Sequence, residues 1–449
     1  MNKDLNKTDR SARRPKGIPT VSAVLPDNAL AEMVFDPVSK RTAFALWRGD
    51  SWSIQDSLEA ESSLPMVPYS PENNLLKHEV VLFPSGPVEY ESEEVLLSEV
   101  QSFIHSYVDV SPLFEKIASY YVLFSWVYDS FNELPYLRLR GDPGSGKTRF
   151  LLTVGSLCYK PIFASGASTV SPLFRIIDSF RGTLIIDEGD FRLSDERAEI
   201  VKILNNGNAR GFPVLRSEVT SKREFNPTAY AVFGPKLVAT RGFFQDRALE
   251  SRCLTEAMGQ QRLRDDVPIN LPPAHKDEAL ALRNKLLLFR FRNFHKGEPS
   301  ESLVDRSIEP RLNQVFVPLL SIIEDEKARE ELKELARKYH SELVADRSLD
   351  MEAQVLEIIR DSLAKGEERL SVKDITDWFI DRHGADYERK ITTKSIGNII
   401  SKKLLLRTQK SHGVFVIPRS EEPKLSRLYE RYGINPKEGD EPEENEHSS

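Results

Sequence analysis

One stretch constrains this chain more than any other: Gly141-Asp-Pro-Gly-Ser-Gly-Lys-Thr148. It fits G-x-x-x-x-G-K-[ST] at every fixed position. The run Tyr136-Leu-Arg-Leu-Arg140 ahead of it reads as a strand, and Arg149-Phe-Leu-Leu-Thr-Val-Gly-Ser-Leu157 after it reads as a helix. In that context the glycines let backbone N–H groups curl around a polyphosphate, and the helix N-terminus adds positive potential. Gly141, Asp142, Pro143, Gly144, Ser145, Gly146, Lys147, Thr148 and Arg149 are therefore the candidate nucleotide-binding residues. Lys147 would reach the β- and γ-phosphates of ATP, and the Thr148 hydroxyl would take one site on Mg²⁺. A plain glycine-rich turn is the competing reading.

Downstream, Gly182-Thr-Leu-Ile-Ile-Asp-Glu188 is a short aliphatic run ending in two acids. A buried parallel strand reads as continuous aliphatics, and ligands gather at the carboxyl ends of such strands. About forty residues after a phosphate loop, that pattern points to metal and water handling. Asp187 would hold the Mg²⁺ shell, and Glu188 would polarise the attacking water.

The 449 residues have room for two or three domains, and the chain is 40% hydrophobic and 29% charged, ordinary for a soluble globular protein. Cys158 and Cys253 are the only cysteines, so a disulfide framework or zinc ribbon is excluded. No His, Cys, Asp and Glu set at ligand spacing suggests a transition metal. No apolar run approaches the ~20 residues that span a bilayer, and the charged start has no apolar core behind it. The expected compartment is the cytoplasm, with no membrane partner.

Net charge is −7, but its distribution is uneven. Residues 1–20 hold six Lys/Arg against two Asp, residues 434–449 hold six Asp/Glu against one Lys, and residues 369–419 hold eleven Lys/Arg against five Asp/Glu. The expected organisation is a flexible basic arm over 1–26, a small β-rich N-terminal module over 27–90, and a helical segment over 91–133. An ATPase core follows over 134–256, a helical lid over 257–345, a separate basic module over 350–418 and an acidic tail over 420–449. The N-terminal module has alternating runs at Leu30–Phe35 and Thr42–Trp47 and short strands at Trp52–Gln55 and Val80–Phe83. Its aromatics suit core packing, with stacking on single-stranded bases as the rival.

Within the core, Phe212–Glu218 and Phe225–Phe233 suggest a hairpin with a basic tip, and Arg216, Lys222 and Arg223 would lie along it. Pro235–Thr240 reads as a further core strand, followed by Asp246-Arg-Ala-Leu-Glu-Ser-Arg-Cys253. This order of phosphate loop, Asp-Glu strand, basic hairpin, strand and Ala-Leu-x-Ser-Arg resembles the AAA+ ATPases. More narrowly, it is similar to the minichromosome-maintenance and superfamily 3 helicases and to the helicase-like ATPases of phages and mobile elements. The resemblance covers about residues 110–330. It implies an α/β fold, with a parallel sheet, helices on both faces and a helical lid. It also implies that Thr240 is sensor 1, where many relatives place Asn, that Arg252 is an arginine finger acting on a neighbouring subunit's nucleotide, that Arg311 is sensor 2, and that the hairpin with Arg216, Lys222 and Arg223 lines a central pore and grips a DNA strand, a solvated surface hairpin being the rival. An ordinary surface arginine competes for Arg252, and Arg247 is its possible substitute. An arginine arriving from another chain is worth on the order of 10³–10⁵ in rate, so such a site implies a homo-oligomer, by resemblance a hexamer.

Residues 350–418 read as three helices and a hairpin, similar to a winged helix-turn-helix. Ile396, Ile399, Ile400 and Leu404 would face its core, and Lys394, Asn398, Lys402 and Lys403 would face a DNA groove. Docking of a protein is the rival. Taken together, the sequence suggests a ring-forming ATP-driven DNA motor on single-stranded or forked DNA in replication of a mobile element or phage, alongside a primase or initiator. The alternatives are an ATP-dependent initiator or loader that does not unwind, and a defence-system ATPase.

Overall fold

The computed structural model describes residues 17–434 apart from 60–63, 166–169, 188–194, 218–225, 243, 245, 260–261, 295–300, 349–350, 368–369 and 384–390. The chain divides into two compact units, residues 1–333 and 334–449.

The first unit opens with β1 (Ile18–Thr20) and an antiparallel sheet of β2 (Ser22–Val24), β3 (Leu30–Asp36), β4 (Arg41–Arg48) and β5 (Ser51–Gln55), after which β6 (Met66–Pro68) pairs in parallel with β1. Residues 18–20 and 22–24, expected to belong to a flexible arm, are thus strands. Val80–Phe83 makes only an isolated bridge, Val81 to Ile162, instead of the expected strand. Helices α1 (Asn74–Lys77), α2 (Glu93–Tyr107) and α3 (Pro112–Val127) follow. Ser92 and Ser111 cap α2 and α3 by accepting from the amides of Val95 and Phe114, and Pro112 sits at the first turn, where its missing N–H costs nothing.

The central sheet has five parallel strands: β7 (Tyr136–Arg140), β8 (Ile162–Ser165), β9 (Leu184–Asp187), β12 (Lys236–Thr240) and β13 (Cys253–Ala257). Interleaved are α4 (Lys147–Leu157), α5 (Val170–Phe180), α6 (Asp195–Asn206), the antiparallel hairpin β10 (Val214–Arg216) and β11 (Thr228–Tyr230), and α7 (Arg247–Glu250). The order across the sheet is β13-β7-β12-β9-β8. Numbered by chain position within the sheet, this is 5-1-4-3-2, and the winding direction reverses beside β7. Such a reversal opens a crevice at the carboxyl ends of the strands. Helix α4 packs on β9 and β12, and α2, α3 and α8 (Ala274–Asn293) pack around α4; α5 packs on β8 and beside α6. Helices α9 (Pro310–Leu320) and α10 (Glu326–Ser348) complete the helical region, and the boundary between units falls inside α10.

The antiparallel sheet does not form a core of its own. Ala31, Met33 and Phe44 share one apolar cluster with Ile162, Leu173, Phe174 and Leu184 of the central region. Glu32 is buried on β3 and accepts from Tyr159 at 2.7 Å and Arg290 at 2.7 Å, with Lys160 at 2.9 Å. A buried carboxylate needs such partners, and removing them would strand the charge.

The second unit contains α11 (Met351–Ala364), β14 (Leu370–Ser371), α12 (Val372–His383), α13 (Thr393–Asn398), a π-helical turn at Ile399–Lys403, the hairpin β15 (Gln409–Ser411) and β16 (Val414–Ile417), and α14 (Glu422–Tyr432). The strands pair in the order β14-β16-β15. Ile396, Ile399, Ile400 and Leu404 are buried in its core. Helix α14 corrects the expected tail: Leu425 and Leu428, one helical turn apart, are buried in the same core.

Candidate active site

The glycine loop leaves the carboxyl end of β7, which hydrogen-bonds between β12 and β13. Gly144 and Gly146 have φ of +83° and +93°, a region that side chains disfavour. A Cβ at Gly141 would lie 2.7 Å from the Met258 carbonyl and 2.8 Å from Ser145 Oγ, so only glycine fits there. The Lys147 ammonium donates to the carbonyls of Gly141 at 2.6 Å and Asp142 at 2.7 Å, which holds it across the mouth of the loop. Thr148 Oγ1 donates to Asp187 Oδ2 at 2.7 Å. Motif residues 39 positions apart are therefore in contact. A hydroxyl and a carboxylate side by side at a phosphate loop are hard oxygen donors that suit Mg²⁺, so the residues fit both groups.

The loop, Asp187, Thr240 and Arg241 line a cavity of about 340 Å³. Thr240 is paired with Arg140 across the sheet, accepts from the Gly141 amide through its carbonyl at 3.2 Å, and donates its hydroxyl to the Gly242 carbonyl at 3.0 Å. Arg241 was missed from sequence; the available signal was a basic residue directly after the hydroxyl that ends β12. The Arg149 guanidinium donates to the carbonyls of Pro268 and Ile269, so that side chain ties this segment to the first turn of α4. Glu188, Lys222, Arg223 and the Arg247 side chain lie outside the described residues.

Arg252 and Arg311 lie elsewhere. Arg252 immediately precedes β13, whose Cys253 is paired with Tyr136 at the amino end of β7. The phosphate loop starts after Arg140, at the other end of the same strand. At about 3.3 Å per residue the two sites are separated by on the order of 15 Å. The Arg252 guanidinium donates to Asn205 Oδ1 at 2.8 Å, Asn208 Oδ1 at 2.9 Å and the Ala248 carbonyl at 2.7 Å. Arg311 donates to Ser251 Oγ at 3.2 Å and approaches the same Ala248 carbonyl at 3.5 Å. Burial, and then the neighbouring Arg311 charge, lower the pKa of Arg252. The two arginines are together, and neither is at its own chain's loop.

Arg216, expected to reach DNA from the hairpin, is instead engaged at the hairpin's base. It forms a double hydrogen bond with Glu199 and lies 4.5 Å above the Phe174 ring. The Arg216 hydrogen bond holds the Glu199 carboxyl below its usual range.

In the second unit, Thr392 and Ser395 form a reciprocal cap at the start of α13. Lys394, Asn398 and Lys402 are exposed. Lys403 is exposed too, but it is ion-paired with Glu352 of α11, which removes it from the simple basic face that helical spacing implied.

No protein-family sequence profile and no curated protein matches the chain. Among solved structures it is similar to the SCCmec type IV Cch active helicase, with a TM-score of 0.39 and 10% identity over 92% of this chain and 80% of that one. It is also similar to the A-form apo C-terminal region of NrS-1, with a TM-score of 0.33 and 11% identity over 86% of this chain and 96% of that one. A full-length MCM homolog from Methanopyrus kandleri gives 0.34 and 13% over 72% and 76%. By its own strand order and by the meeting of Thr148 with Asp187, the chain has a P-loop α/β fold.

Proposed function

We propose that the protein is an ATP-hydrolysing DNA motor whose active site is shared between adjacent copies. The Thr148–Asp187 contact carries the ATPase reading, since it joins two distant motifs into one oxygen-donor pair beside the loop. Lys147 would exchange its two carbonyl acceptors for phosphate oxygens, a stronger charge-assisted pairing. Thr148 and Asp187 would hold Mg²⁺, which supplies neutralisation of the phosphate oxygens when bound. Glu188 would accept a proton from the attacking water, and Thr240 would fix the strand end beside the loop. Arg252, with Arg311 beside it, would face the nucleotide of the neighbouring copy.

A ring of six, single-stranded or forked DNA as the track, cytoplasmic action in replication of a mobile element, and a primase or initiator alongside belong to this proposal. No helix among the described residues is long and apolar enough to cross a membrane. The pairing of Arg216 with Glu199 favours a second reading, a DNA-bound initiator or loader that does not unwind, because it removes one basic group from the hairpin's grip. Displacement of a labelled strand from a fork separates the two.

The decisive assay is ATP hydrolysis with and without single-stranded DNA. The expected result is stimulation by DNA, and loss of turnover by at least about a hundred-fold in Lys147→Ala. Turnover that ignores both DNA and Lys147 would end the proposal.

A further inference from the structure

The second unit holds a groove of about 420 Å³ between the start of α12, α13 and the β15–β16 hairpin. Lys373, Thr393, Lys394, Thr408 and Phe415 line it, and among the described residues no carboxylate does. Phe415 is 56% exposed, although the next two residues of its strand, Val416 and Ile417, are buried. Lys410 is its cross-strand partner, which places an ammonium-bearing side chain on the same side of the hairpin. Gly413 has φ +81° at the hairpin turn, and a Cβ there would meet nothing within 4 Å. The result is an accessible aromatic side chain set among three lysines, at the small end of the volume range for ligand sites.

We propose that this groove takes one unpaired base of single-stranded DNA, stacked on Phe415, with the adjoining phosphates on Lys373, Lys394 and Lys410. The inference rests on the DNA-motor reading and deepens it by naming the form of DNA that this surface selects. Aromatic stacking combined with a positive groove binds single strands without sequence preference, because every base has a π-face. Bases inside a duplex are stacked on each other and cannot enter without being flipped out, which costs their pairing and stacking. Lysines alone would hold either form through its phosphates. Phe415 therefore supplies the discrimination, and the lysines supply the attraction. A strand end emerging from a fork would be held here, while duplex would meet only the lysines.

The test uses the full chain and fluorescence anisotropy with two probes, a labelled twelve-nucleotide oligothymidylate and a blunt twelve-base-pair duplex. Phe415 is exposed, so Phe415→Ala leaves the core intact. The expected result is a loss of about ten-fold for oligothymidylate, with duplex affinity changed less than two-fold. Phe415→Trp should restore the oligothymidylate affinity, and turnover without DNA should be the same in all three proteins. Equal losses on both probes would overturn the proposal, because Phe415 would then be a duplex contact. No change on either probe, with DNA still stimulating turnover, would overturn the groove alone and leave the motor. Absence of any DNA binding or stimulation in the unaltered protein would overturn both.

Discussion

The two ends of the central sheet are built differently. At the carboxyl end, Lys147 is held by two backbone carbonyls of an open glycine loop, and Thr148 is held by Asp187. Those bonds can be exchanged for a ligand's oxygens with little rearrangement. At the amino end, Lys236 is enclosed and donates to the carbonyls of Gly207, Val232 and Gly234 at 3.2, 3.0 and 2.8 Å, above the Tyr136 ring. Beside that enclosed lysine, Arg252 is half-buried on neutral acceptors, two asparagines and a carbonyl. Both side chains gather where α6 ends. One end presents its lysine and its hydroxyl–carboxylate pair on an open loop, and the other fixes Arg252 at the far end of the sheet from that loop. A single strand, β7, connects the two, and on the proposed shared-site reading the arginine of one copy serves the loop of the next.

The largest effect that would sharpen this contrast is Arg252→Ala. We expect hydrolysis to fall by on the order of 10³-fold while nucleotide binding, read by equilibrium titration, changes little. Equal losses in binding and turnover would mean that Arg252 acts by supporting its own chain's fold.

A smaller effect should come from Lys236. Burial pushes it down to about 7 in the folded chain, against 10.5 for the ordinary side chain. Between those values the unfolded chain binds the extra proton, so stability rises with pH across that window. Lys236→Met should flatten the rise seen in denaturant titrations between pH 7 and pH 10, a difference on the order of a few kcal/mol. A slope identical to that of the unaltered protein would contradict the enclosure described for Lys236.

The smallest effect belongs to Arg216→Ala. Its partly exposed ion pair with Glu199 is worth under about 1 kcal/mol. DNA affinity should move less than two-fold, and a large loss would return Arg216 to the gripping role that the hairpin pattern suggested.

The carboxyl end was legible in the sequence because its chemistry is local. The glycines, lysine and threonine of the loop are contiguous, and Asp187 ends an uninterrupted aliphatic run. The amino end was not, because it is made by pairing over long separations. Strand β13 is only Cys253–Ala257, with polar residues inside it, and nothing in Cys-Leu-Thr-Glu-Ala names β7 as its neighbour. The placement of Arg252 follows from that pairing alone.

The N-terminal sheet read as a separate module because alternation shows that a face is buried but not against what. Its signal was Glu32, a charge inside the apolar run of β3, which meets Lys160 and Arg290. At the other terminus, acidic composition masked the spacing of Leu425 and Leu428, and so helix α14 was read as tail. For Lys403, helical spacing alone could not foresee Glu352 on another helix, nor the π-helical turn that carries the lysine.

Mixing Lys147→Ala protein with Arg252→Ala protein tests the central claim most directly. Each is expected to be inactive alone, but a mixed assembly contains interfaces with an intact loop on one copy and an intact arginine on the next. The predicted result is recovery of DNA-stimulated ATP hydrolysis on mixing, dependent on total protein concentration. Two inactive proteins that co-assemble and stay inactive would contradict the shared site.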